Sequence, residues 1–106
     1  MYDLKIFIDE AHPFKDQTYP LVIQVFYAGQ KRLIRTPYRF VRDLSYDIEL
    51  DGIHYRSMSI VESSQEEVQL YVAGALTKIK RIMTQLEASG EEHQIEDILR
   101  LNQENY

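Results

Sequence analysis

A chain of 106 residues, 44% of them hydrophobic, has material for one domain around one modest core and not comfortably for two. It contains no cysteine, which excludes a disulfide framework, a thiolate nucleophile and a cysteine zinc site, and suits a reducing cytoplasm. The net charge of −5 speaks against a uniformly basic nucleic-acid binder, and apolar runs too short to cross a bilayer, with no basic-then-apolar leader, point to a soluble cytoplasmic protein.

In chain order, Leu4, Ile6 and Ile8 alternate with Lys5, Phe7 and Asp9 and read as a half-buried first strand. Glu10 to Thr18, with Pro13 and three charges, is the connecting loop. Leu21 to Ala28 is rich in β-branched, aromatic and long apolar residues and reads as a second, largely buried strand, with Pro20 at its mouth, where a missing N–H does least harm. Ala28-Gly29 supplies a two-residue turn into a third strand, which pairs Tyr27 with Gln30, Val25 with Arg32, Ile23 with Ile34 and Leu21 with Thr36. That register puts Leu21, Ile23, Val25, Tyr27, Arg32, Ile34 and Thr36 on one face, the core side. Val22, Gln24, Phe26, Lys31, Leu33 and Arg35 lie on the other. Pro37 ends the regular pairing of the third strand or places it at an edge, so Tyr38 to Arg42 is expected to be irregular, with Arg39 and Arg42 beside the sheet.

Residues 46–57 form two short alternating runs either side of Asp51-Gly52, which reads as a second hairpin or as a loop with a tight turn. Ser64-Gln65-Glu66-Glu67 fits a capping box, with Glu67 reaching back, and opens a long helix. Val68, Val72, Ala75, Leu76, Ile79, Ile82, Met83 and Leu86 then form one apolar stripe for the inner face of the sheet, while Leu70, Lys80 and Arg81 point elsewhere. Gly90 ends the helix; Ile95, Ile98, Leu99 and Leu101 mark a short second helix, and the tail from Asn102 to Tyr106 carries no structural signal. The expectation is one α+β domain over residues 1–106. It comprises a small three-stranded antiparallel sheet over residues 3–42, with or without an extra hairpin at 46–57, packed on a long amphipathic helix (64–89) and a short C-terminal helix (93–102).

The charge is unevenly distributed. Lys31, Arg32, Arg35, Arg39 and Arg42 stand without an acid between them, whereas residues 43–67 hold seven acids against Arg56 and residues 87–106 hold six against Arg100. A chain polarised in this way can attract an anion to one face, because the Debye length is about 8 Å at physiological salt. An exposed strand face mixing an aromatic ring, an amide and cations suits nucleic acid; the plainer reading is a solvated face with ordinary charges. Lys78, Lys80 and Arg81 read as a solvated helix face rather than as an extension of that surface.

Catalytic chemistry is hard to find. His12, His54 and His93 lack metal-ligand spacing, and the four glycines are not clustered into a phosphate loop. Asp9-Glu10, Glu66-Glu67 and Glu91-Glu92 are adjacent in sequence, and adjacent side chains on a strand or helix diverge. The domain is read as non-enzymatic, with neither metal nor cofactor.

The run KDQTYPLVIQVFYAGQKRLIRT, followed by a capped amphipathic helix, a glycine and a short acidic IEDIL helix, resembles the N-terminal arm-type DNA-binding domain of bacterial and phage tyrosine recombinases, or integrases. The matching positions are the Thr18-Tyr19-Pro20 step, the alternating strand Leu21 to Ala28, the Gly29 turn and the basic strand Lys31 to Thr36. Where that family is expected to carry a short acidic-aromatic segment with a tryptophan, residues 43–61 hold the Asp-Gly hairpin. The resemblance implies a sheet that enters the major groove at arm-type sites on double-stranded DNA, with the catalytic residues in a later domain and other recombinase subunits as further partners. It implies base-edge roles for Gln24 and Arg35 and phosphate roles for Lys31, Arg32, Arg39 and Arg42, with Phe26 and Leu33 on the same outward face. The competing expectation is a protein-interaction or self-association module that uses an exposed Val22, Phe26 and Leu33 face and the acidic C-terminal region.

Overall fold

The computed structural model describes residues 2–104, so the last two residues of the expected tail lie outside the described residues. Four strands follow one another as an antiparallel meander: β1 (Tyr2–Ile8), β2 (Tyr19–Tyr27), β3 (Gln30–Leu50) and β4 (Ile53–Ile60). Two helices complete the chain, α1 (Gln65–Ala88) and α2 (Ile95–Glu104). The class is α+β as expected, but the sheet has four strands rather than three, because the Asp51-Gly52 hairpin belongs to it. The second helix also runs on to Glu104, past the expected end at 102.

Both hairpins turn on two residues with positive φ, Ala28 (52°) with Gly29 (79°), and Asp51 (50°) with Gly52 (78°). This doubly left-handed turn matches the twist of the strands it joins. The register from Tyr27↔Gln30 to Val22↔Arg35 is the one expected. It then breaks, because Leu21 faces three residues of β3 before Pro20 pairs with Arg39. The Thr36 hydroxyl donates to the Leu21 carbonyl at 2.8 Å and accepts the Tyr38 N–H at 3.3 Å, occupying the place where Pro37 has no N–H to offer.

The expectation that Tyr38 to Arg42 is irregular is therefore corrected. The strand absorbs Pro37 in a bulge and continues, pairing Tyr19↔Phe40 on one side and Phe40↔Ile60 on the other. A second irregularity sets Asp43 to Tyr46 against Ser57 alone, leaving Leu44 93% exposed. Beyond it the Ile48 and Leu50 side chains join the core, and the Tyr55 hydroxyl reaches the Ile6 carbonyl of β1 at 3.4 Å. The far hairpin thus closes one end of the core.

The core lies on one side of the sheet. Ile6, Ile8, Leu21, Ile23, Val25, Tyr27 and Phe40 meet Val68, Val72, Leu76, Ile79, Ile82, Met83 and Leu86 of α1, with Ile95 and Ile98 of α2. Ser64 caps α1 by accepting the Glu67 N–H at 3.1 Å, while the Glu67 carboxylate turns to the Tyr38 hydroxyl. Burial, reinforced by that bond, raises the Tyr38 pKa above the ordinary tyrosine value. Tyr38 also stacks edge-on against Tyr71 at 5.2 Å, and Gln65 and Gln69 both donate to the Glu49 carbonyl, so β3 is fastened to α1 at several points.

Candidate nucleic-acid interface

Because β-strand side chains alternate, every residue that faces the helices leaves a neighbour facing away. Across β1, β2 and β3 the outward side chains form rows: Asp3, Phe26 and Lys31; Lys5, Gln24 and Leu33; Phe7, Val22 and Arg35. Lys31, Leu33 and Arg35 are exposed, and Gln24 and Phe26 are half-buried. The helices cover the opposite face, so this one is open on the near half of the sheet.

At its far end the face is occupied by the chain itself. The β1–β2 loop is shaped by bonds from the Phe14 N–H to Thr18 and from the Gln17 N–H to Phe14, and by the Asp16 carboxylate, whose Oδ1 accepts both the Thr18 N–H and its hydroxyl. This brings the Phe14 ring beneath two guanidinium groups, 5.0 Å from Arg35 and 5.9 Å from Arg39, within cation–π range. The cross-strand partners of those arginines, Val22 and Pro20, are buried although they face away from the helices, and Val22 is only 1% exposed. The expected exposed patch of Val22, Phe26 and Leu33 is corrected accordingly, for only Leu33, at 47%, is open.

Each of three arginines meets an acid from elsewhere in the chain. Arg39 bonds Asp16 at 2.9 Å, Arg42 bonds Glu10, and Arg32 bonds Glu96 of α2 at 2.8 Å. Thr18, and then Arg39, hold the Asp16 carboxyl below its ordinary value. Of the eight residues singled out from sequence, Gln24, Phe26, Lys31, Leu33 and Arg35 gather on one face, with Arg39 at its far end. Arg42 lies further along β3, opposite Met58 and two residues from Phe40 and so on the helix side of the strand, and Arg32 is on the helix side as well, where its guanidinium also donates to the Lys31 carbonyl. Lys5, Phe7 and Phe14 join the face unannounced. The lone aromatic of a charged loop was the available signal for Phe14, whereas Lys5 and Phe7 needed the β1 register.

Elsewhere the titratable groups are dispersed. His12 meets Asp9 at 2.9 Å, and His54 and His93 each lie 3.7 Å from one aspartate. Ser89, His93 and Asp97 stand in a row, with the Ser89 hydroxyl 2.7 Å from the Leu86 carbonyl and 3.0 Å from His93 Nε2, and His93 Nδ1 3.7 Å from the Asp97 carboxylate. Among the described residues no group of three or more His, Asp or Glu is placed to hold a metal, and no helix is long and apolar enough to cross a membrane. Comparison with protein-family models, with curated proteins and with solved structures returns no match.

Proposed function

We propose that this domain binds double-stranded DNA without catalysing a reaction on it, as the arm-type part of a tyrosine recombinase, laying the outward face of its sheet in the major groove. The observation that carries the reading is the composition of that face: Gln24, Phe26, Lys31, Leu33 and Arg35 share one side of a ribbon whose other side is sealed by the helices. The free β3 edge leads this part of the sheet into a groove about 12 Å wide. In this reading Arg35 and Gln24 address base edges, Lys31 and Lys5 flank them with phosphate contacts, and Leu33 offers an apolar surface to thymine methyl groups. Arg32, turned toward α2, contributes to the field more than to contact.

The test is a titration of a labelled mixed-sequence duplex followed by fluorescence anisotropy over a range of salt. Affinity should fall steeply as salt rises from about 50 to 200 mM, and Arg35→Ala should weaken binding by about 1 to 3 kcal/mol. No binding at the lowest salt would overturn the proposal. The alternative, an interaction surface built on Val22, Phe26 and Leu33, is left with Leu33 as its one open apolar member.

A further inference from the structure

β4 pairs with β3 only from Phe40 to Leu50, so from Lys31 to Arg35 the β3 backbone has β2 on one side and no strand on the other. The pair that closes a two-residue turn of this kind bonds across the hairpin. Alternation then directs the amides and carbonyls of Gln30, Arg32 and Ile34 to β2, and those of Lys31, Leu33 and Arg35 to the open edge. Arg32 covers the Lys31 carbonyl at 2.7 Å, but among the described residues no hydrogen bond reaches the edge-facing groups of Leu33 and Arg35. The other outer strand is finished differently: in β1 the Asp3 carboxylate accepts the Leu4 N–H at 2.9 Å, and the Tyr55 hydroxyl donates to the Ile6 carbonyl at 3.4 Å. Beside the open edge, on the helix side, runs a groove of about 550 Å³ lined by Ile34, Leu70, Tyr71, Gly74, Ala75 and Lys78. Gly74 keeps it open, since a Cβ there meets nothing within 4 Å, although glycine costs a helix interior about 1 kcal/mol relative to alanine.

We infer that this edge and groove receive an extended peptide of another protein as an added strand, one that alternates acidic and apolar side chains. Its backbone bonds the free groups of Leu33 and Arg35, its apolar side chains turn into the groove, and its acidic ones turn outward beside Lys31 and Arg35. Charge selects this occupant. Among the described residues no acid lines the groove, and neither Lys31 nor Arg35 has an acid partner. A second copy of this chain is disfavoured, because antiparallel pairing of two β3 edges about Leu33 sets Lys31 against Arg35, and like charges directly opposite destabilise a ladder. The inference does not rest on the DNA-binding reading, with which it shares the β3 edge.

The probe is a fluorescein-labelled peptide, Glu-Val-Glu-Val-Glu-Val-Glu, titrated with the full chain and followed by anisotropy. It should bind, and exchanging every glutamate for lysine, or gathering the same residues into one acidic and one apolar block, should weaken binding by about ten-fold or more. N-methylation separates strand addition from charge attraction, because alternate amides of an added strand face β3 and the rest face solvent. Methylating one alternate set should abolish binding, and methylating the other should change it by no more than about two-fold. On the protein side, Gly74→Leu fills the groove while favouring the helix; it should weaken the peptide about ten-fold, through lost valine burial, without lowering the melting temperature. Failure of the alternating peptide to bind at low salt, equal effects of the two methylated sets, or wild-type affinity in Gly74→Leu would each refute strand addition at this edge, and none of them bears on duplex binding.

Discussion

Ala28 occupies a left-handed backbone position, φ 52°, that a Cβ disfavours by roughly 1 to 2 kcal/mol. Asparagine or glycine there matches the turn at less cost, so Ala28→Asn should raise the unfolding free energy by about 0.5 to 1 kcal/mol, measured as a shift of the urea midpoint at constant slope. Asp97 supplies a second residue-scale test. Its carboxylate accepts the Gln94 N–H at 2.9 Å and faces Arg100 and His93, and these partners, the backbone bond first, hold its pKa below the ordinary 3.8. A carboxyl whose pKa is lower folded than unfolded binds protons more readily when unfolded, so its stabilisation is present above 3.8 and fades as pH falls below it. Melting temperatures from pH 5 down to 2.5 should therefore drop less steeply in Asp97→Asn than in wild type. Both features were half legible in the sequence: Ala28-Gly29 read as a turn, but with Gln94 rather than a serine or threonine three residues before Asp97 the reciprocal cap was not marked.

Among the elements, β3 departs most from its sequence pattern. Pro37 reads locally as an end, since it lacks an N–H and fixes φ. The structure spends Thr36 on the missing bond and shifts register, and the strand then runs on to Leu50. A proline can sit within a sheet at a bulge when another group takes over the ladder, and that compensation depends on the Leu21 carbonyl, fifteen positions away. The apolar stripe of the long helix, by contrast, was legible, because a stripe at three- and four-residue steps has one face to bury whatever lies opposite. Ile79, 1% exposed at the centre of that stripe, is the position to probe. Placing a carboxylate there costs several kcal/mol against a total stability of about 5 to 15, so Ile79→Asp should abolish the cooperative thermal transition seen by circular dichroism.

At the scale of the whole molecule, acids and cations segregate without separating. The net charge of −5 and the basic run from Lys31 to Arg42 are both plain in the sequence, but which cations stand open is not. Alternation along β2 and β3, together with a short turn between them, determined that Gln24, Phe26, Lys31, Leu33 and Arg35 share a face and that the apolar stripe of α1 takes the other, because strand periodicity and hairpin register are local properties. Only the tertiary structure decided that Glu10 and Asp16 answer Arg42 and Arg39, that Glu96 draws Arg32 to the helix side, and that Phe14 lies beside Arg35 at the far end of that face. Those encounters join residues 21 to 64 positions apart, and an ion pair between distant residues is set by where the folded backbone delivers each end, which no local pattern records.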